Sequence, residues 1–162
     1  KLDLSFFGEN HPSVASGYYN IGYVYFAQGD YSKALEYFEE VLKIRLSVYG
    51  ENHSQVSSIY DHIGEIYFAQ KDYSKALYYF EESLKIRLSL FGENHPEVAL
   101  SYYSIGSLYI IQGDKSKALN YYEKSLKIRL SVYGENHPLT KEIMDLINVA
   151  NSKVLQSPET TK

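Results

Sequence analysis

With 162 residues and a net charge of −4, the chain can form one compact domain or a short array, and its mildly acidic balance argues against a nucleic-acid partner, which would want clustered Lys and Arg. It has no cysteine, so disulfides and thiolate metal sites are excluded, and no apolar run approaches the roughly 18 residues of a membrane helix. Eighteen tyrosines against no tryptophan are the unusual feature of the composition. The chain opens on Lys1 with no visible signal peptide, as a piece cut from a longer protein would, and the expected compartment is cytoplasmic.

Residues 1–12, "KLDLSFFGENHP", align in phase with 43–54, so 1–7 read as the end of a preceding unit's second helix. A first unit spans 8–52. In it Val14, Tyr18, Ile21 and Tyr25 recur at steps of three and four, the period of a helix. "GD" at 29–30 breaks that helix, and Ala34, Leu35, Phe38, Leu42 and Leu46 carry a second one of about 18 residues, about 27 Å long. Glu39–Lys43, Glu81–Lys85 and Glu123–Lys127 stand in the favourable i,i+4 order and mark its wet face.

The pattern then repeats. His11–Asn52 matches His53–Asn94 at 29 of 42 positions without a gap, giving units at 53–94 and 95–136. After Pro138 it decays: Met144, Asn148 and Asn151 stand where the first unit has Tyr18, Gly22 and Tyr25. Residues 137–154 therefore read as a partial repeat or capping helix, apolar through Ile143, Leu146, Ile147, Ala150 and Val154. The polar tail 155–162 is expected to be disordered.

The word "GENHP" at 8–12, 92–96 and 134–138, with "GENHS" at 50–54, joins one unit to the next. Its glycine suits a left-handed C′ position, its proline the first helical position, and its Asn or His the N-cap between them. Gly22, Gly64 and Gly106 lie inside helices, where glycine costs about 1 kcal/mol against alanine, and so point to close helix–helix approach.

The spacing Tyr18, Ile21, Gly22, Tyr25, Gly29, Tyr31, Ala34, Phe38, Leu42 closely resembles the tetratricopeptide repeat, and the 42-residue length with its Gly-acidic-x-His-Pro turn resembles the kinesin light chain type. The resemblance covers about 1–150. It implies an all-α, right-handed α-solenoid of antiparallel helix pairs whose first helices line a concave groove. The groove positions are Tyr19, Asn20, Tyr23 and Phe26 in the first unit, Asp61, His62, Glu65 and Phe68 in the second, and Tyr103, Ser107 and Ile110 in the third. Copies differ at many of these places while their second helices stay nearly constant, which fits a surface that reads something, although relaxed packing at solvent positions would look similar.

No Lys or Arg occurs in the three complete first helices. The resemblance implies that a carboxylate clamp needs such residues, and that kinesin light chain grooves take acid-flanked aromatic peptides with basic help. Asn20 matches the family's backbone-binding asparagine, whereas His62 and Ser104 depart from it. The expected ligand is thus an apolar peptide or helix carrying Lys or Arg, drawn to Asp61 and Glu65. Asp61, His62 and Glu65 could approach one metal ion, but no second histidine stands nearby in sequence to complete the three or four ligands of a zinc site. No phosphate loop or nucleophile constellation stands out. The expectation is a protein-interaction scaffold with no enzyme activity, metal or cofactor. The rival reading is a structural spacer or a module that self-associates end to end.

Overall fold

The computed structural model describes residues 11–152, which form seven helices and no strand. These are α1 (Pro12–Ala27), α2 (Tyr31–Tyr49), α3 (Ser54–Ala69), α4 (Tyr73–Phe91), α5 (Pro96–Ile111), α6 (Lys115–Tyr133) and α7 (Pro138–Ser152). The readings made for 1–7, for Val154 and for the tail lie outside the described residues. The odd-numbered helices begin 42 residues apart. Two compact units result, one ending at Leu90 and the other beginning at Phe91.

Each hairpin closes over a glycine. A Cβ placed on Gly22 would stand 3.0 Å from Phe38 Cε1, one on Gly64 2.7 Å from Phe80 Cε1, and one on Gly106 2.7 Å from Tyr122 Cδ1. The second helix therefore lays an aromatic ring on bare backbone of the first. In the first unit Val14, Ala34, Phe38, Val41, Ile59 and Ile63 form the core around this contact. In the second, Val98, Ile105, Leu108, Ala118, Ile128 and Ile143 are buried. In α7, Ile143 and Ala150 are buried and Leu146 and Ile147 half-buried, while Asn148, in the glycine register, is exposed.

Of the two cap candidates, histidine does the work. Nδ1 of His11, His53, His95 and His137 accepts from the backbone N–H two residues on, at 3.1, 3.2, 3.2 and 3.3 Å. Three of these rings also stack on the aromatic residue ending the previous helix: Tyr49–His53 at 4.3 Å, Phe91–His95 at 4.2 Å and Tyr133–His137 at 4.5 Å. A planar acceptor satisfies the free N–H and covers the ring at once, which Asn would not. The glycines of the word differ from the left-handed geometry expected of them. Gly50 and Gly134 have φ 76° and 80° with ψ 177° and 169°, an extended positive-φ region open essentially to glycine alone.

Half of the tyrosines are explained by a cluster that recurs in each hairpin. Tyr25 stacks on Tyr37, Tyr67 on Tyr79 and Tyr109 on Tyr121 at 5.7, 5.5 and 5.7 Å. Tyr18, Tyr60 and Tyr102 tilt against the same second-helix rings. Lys33, Lys75 and Lys117 lie over the outer rings at 4.9, 4.8 and 5.1 Å, within cation–π range. The ion pairs differ from expectation: Lys43 and Lys85 meet Glu40 and Glu82, three residues back, not Glu39 and Glu81. These contacts are exposed and contribute little either way.

Two substitutions test this account. Gly64→Leu is expected to lower stability by about 1–3 kcal/mol through overpacking against Phe80, despite leucine's better helix propensity. A thermal melt unchanged from the parent would refute the contact. Lys71 holds φ 64° where Gly29 and Gly113 stand in the sister hairpins at 77° and 82°. A left-handed non-glycine costs about 1–2 kcal/mol, and glycine returns about 0.4–1 kcal/mol of that through the unfolded chain. Lys71→Gly should therefore stabilise by about 0.5–1 kcal/mol, read as a rise in melting temperature.

Candidate functional site

The first-helix face of the first compact unit is built from α1 and α3. Spacings of three and four bring Tyr19, Tyr23 and Phe26 into a row along α1: Tyr19 stacks on Tyr23 at 6.5 Å, Tyr23 meets Phe26 at 6.4 Å, and Phe26 meets Tyr31 at 5.9 Å. Tyr23 is 52% exposed, and Asn20 beside the row is exposed as well. Phe68 on α3 is half-buried against Tyr73.

The row continues onto α3 through His62. Its ring stacks on Phe38 at 5.5 Å and meets Tyr19 at 5.4 Å. Its Nδ1 is 3.2 Å from Glu65 Oε2 and its Nε2 is 3.0 Å from the Tyr19 hydroxyl. A carboxylate only accepts, so Nδ1–H donates to Glu65, and in the neutral ring Nε2 accepts from Tyr19. Five of the predicted positions, Tyr19, His62, Glu65 and (through the ring row) Tyr23 and Phe26, are thus one connected group. The hydrogen bonds fix His62 in place and leave half of the Glu65 side chain in solvent.

Asp61 behaves differently from its sequence-based reading. Its carboxylate is 2.6 Å from Arg87 of α4, and its side chain is only 19% exposed. Burial raises its pKa above the ordinary carboxylate value by more than Arg87 and the Ser83 hydroxyl lower it. Asp61 is therefore a largely interior group paired with Arg87, and Glu65 is the acid the face presents. The residue missed is the arginine of "KIRL". In every unit it lies 26 residues beyond the same first-helix position. Arg45 sits over the Tyr19 ring at 5.7 Å, Arg87 pairs with Asp61, and Arg129 sits over Tyr103 at 4.9 Å. Two of these arginines also reach the next helix's first turn: Arg45 Nη1 donates to the Gln55 carbonyl at 2.8 Å and Arg129 Nη1 to that of Leu139 at 2.6 Å. The absence of cations from the first helices does not make their surroundings acidic, because second helices supply them.

In the second compact unit α5 offers less that is free. The Tyr103 hydroxyl donates to Glu142 Oε1 at 3.1 Å, and burial first, then Glu142, holds its pKa above the ordinary phenol value. Ser107 donates to the Tyr103 carbonyl at 2.9 Å and accepts from the Tyr122 hydroxyl at 3.1 Å, so its hydroxyl serves packing. Ile110 and Ile111 are 37% and 50% exposed and keep this face apolar. Among the described residues no three His, Asp or Glu side chains are grouped to hold a metal ion, and no helix is long and apolar enough to cross a membrane.

Repeated, glycine-closed helical hairpins with variable first-helix faces define a class of recognition scaffold. The tetratricopeptide repeat family model matches residues 2–47, 13–89 and 55–131, and the chain belongs to that family. Comparison with curated proteins by sequence gives no match. Among solved structures, BtubC (BKLC) from P. vanneervenii is similar at 21% identity and TM-score 0.73, over 94% of this chain and 69% of that one. The nearly identical TPR-like repeats of a P. anserina protein assigned as a kinesin light chain are similar at 17% identity and TM-score 0.71, over 96% and 83%. The N-terminal domain of stress-induced protein-1 from C. elegans is similar at 16% identity and TM-score 0.64, over 86% and 96%. These likenesses show the fold. Tetratricopeptide repeats are in general non-enzymatic scaffolds for protein interaction.

The arginine register predicts an asymmetry at position 61. Asp61→Ala leaves Arg87 without its carboxylate and should cost about 3 kcal/mol, the lower end for breaking a buried pair. Asp61→Tyr restores the residue used opposite Arg45 and Arg129, and should stay within about 1 kcal/mol of the parent in denaturant unfolding. Equal losses in the two variants would contradict the shared role of the arginines.

Proposed function

We propose that the first-helix face holds a peptide or helical segment of a partner protein, and that this ligand is apolar with a basic residue. The observation that carries the reading is the Tyr19–Tyr23–Phe26 row with Tyr23 half in solvent beside the exposed amide of Asn20. A ring at that exposure gains by covering, at about 25 cal/mol per Å² of apolar area, and the amide can pair with a peptide backbone. Glu65 supplies the exposed acid for a Lys or Arg, in place of the pair first assigned to Asp61 and Glu65. The rival end-to-end stacking is disfavoured at α7, where Asn148 stands in the register that elsewhere needs a bare backbone.

Selection of peptides from a random library against the chain tests this. Enrichment of Leu, Trp or Phe beside Lys or Arg is expected. Tyr23→Ala with Phe26→Ala should weaken the selected peptides by about 30-fold, as loss of an aromatic anchor does. Glu65→Lys should weaken them by about fivefold, since one exposed ion pair contributes no more than about 1 kcal/mol. Enrichment in Asp and Glu, or binding indifferent to the aromatic pair, would overturn the reading.

A further inference from the structure

A second kind of pocket recurs away from this face, where the end of each second helix meets the Gly-Glu-Asn turn. In the first compact unit it is a cavity of about 390 Å³ bounded by Glu51, Asn52, Tyr60, Tyr78, Glu82 and Lys85, among others. In the second unit its counterpart, about 280 Å³, is bounded by Glu93, Asn94, Tyr102, Lys124 and Lys127. Five lining positions are identical at the 42-residue spacing: the glutamate and asparagine of the turn, the tyrosine, the outer lysine, and the isoleucine Ile86 or Ile128. Two differ. Glu82 corresponds to Lys124, and Tyr78 to Asn120.

The substitutions show what the pocket holds. Lys124 Nζ lies 5.4 Å from the Tyr102 ring centroid and 5.3 Å from that of Tyr121, so the chain's own ammonium covers the rings. Tyr60 and Tyr79 present the same tilted pair, 5.9 Å apart against 6.0 Å for Tyr102 and Tyr121. There the residue in the lysine's register is Glu82, and Tyr78, 57% exposed, adds a third ring edge-on to Tyr79. Two carboxylates and two phenol rings, Tyr60 and Tyr78, therefore bound the cavity where the sister hairpin places a cation, with Tyr79 packed against both rings. Lys85 is on the rim, 77% exposed and 3.8 Å from Glu82, and offsets one of the two acids. Burial, and after it Tyr78, Glu82 and Glu51, hold the Tyr60 phenol above its ordinary pKa, in keeping with a negative cup. Asn52 Nδ2 donates to Ser89 Oγ at 3.1 Å and ties the turn to α4, so the cup is preformed.

We propose that the pocket between Glu51, Tyr60, Tyr78 and Glu82 is a binding site for a primary ammonium group, that of a lysine side chain presented by a protein partner. Cation–π attraction to the rings and charge attraction to the acids both select a compact cation. The site is separate from the first-helix face and stands or falls independently of the reading made there.

Tyrosine-ring NMR of the full chain tests it, with N-acetyl-lysine methylamide as the probe and its Nζ-acetylated form as the neutral control. Saturable shifts at Tyr60 and Tyr78, at least about tenfold weaker with the control, are expected. Tyr102, already covered by Lys124, should not respond. Glu82→Lys installs the residue that the sister hairpin carries and is expected to fold normally while losing the response about tenfold or more. Lys124→Glu should give Tyr102 a response it lacked. Free n-butylammonium serves as a second arm: tighter binding of it than of the lysine derivative would assign the pocket to small amines and overturn the partner lysine. Absence of saturable shifts, equal shifts with the acetylated probe, or an undiminished response in Glu82→Lys would each overturn the site.

Discussion

The contact on which this molecule depends is a ring against bare backbone. Phe38 on Gly22, Phe80 on Gly64 and Tyr122 on Gly106 leave no room for a Cβ, so each hairpin's two helices are held at one separation. An internal glycine costs helix stability, and the cost is accepted three times because the aromatic ring gains a flat surface to cover. With that spacing set, Tyr25, Tyr67 and Tyr109 reach the second helix to stack, and the "KIRL" arginine reaches across to the same first-helix position in each hairpin. The tyrosine excess and the repeated arginine are consequences of one distance.

What could be read in advance follows from what is periodic along the chain. Helix positions, hairpin turns and the capping region are local, and the 42-residue repeat printed each of them several times. The glycines could be read because their cost in a helix demands a reason. The face positions on α1 and α3 could be placed by helical spacing. Their electrostatics could not, because Asp61 and Arg87 are 26 residues apart on different helices and their meeting depends on the register between helices. The choice of His over Asn as cap depends on a stacking partner at the end of the preceding helix, a tertiary fact. The lysine partners at i−3 rather than i−4 reflect side-chain geometry that residue spacing leaves open.

Misplacing Asp61 had a functional cost for the sequence-based reading. Counting charges on the first helices alone makes the face look acidic at two adjacent residues. The structure divides them: Asp61 turns inward to an arginine, and Glu65 stays out, bound to His62. The His62 ring, wedged between Tyr19 and Phe38, shows that a half-buried polar residue can belong to the packing as much as to the surface.

The three hairpins also compare themselves. Where a residue supports the glycine contact, the copies agree or exchange one ring for another. Where they diverge in charge, the neighbour of the changed residue is a constant one: Tyr19, Asp61 and Tyr103 all face the same arginine, and Glu82 and Lys124 share a cavity with the equivalent tyrosines Tyr60 and Tyr102. A guanidinium accepts a ring face or a carboxylate equally well, and a pair of phenol rings accepts a cation from within the chain or from outside it. Such constant, tolerant groups let single substitutions change the chemistry of a hairpin's surface while leaving its packing unchanged. That is how an array of near-identical units can present surfaces that are not identical.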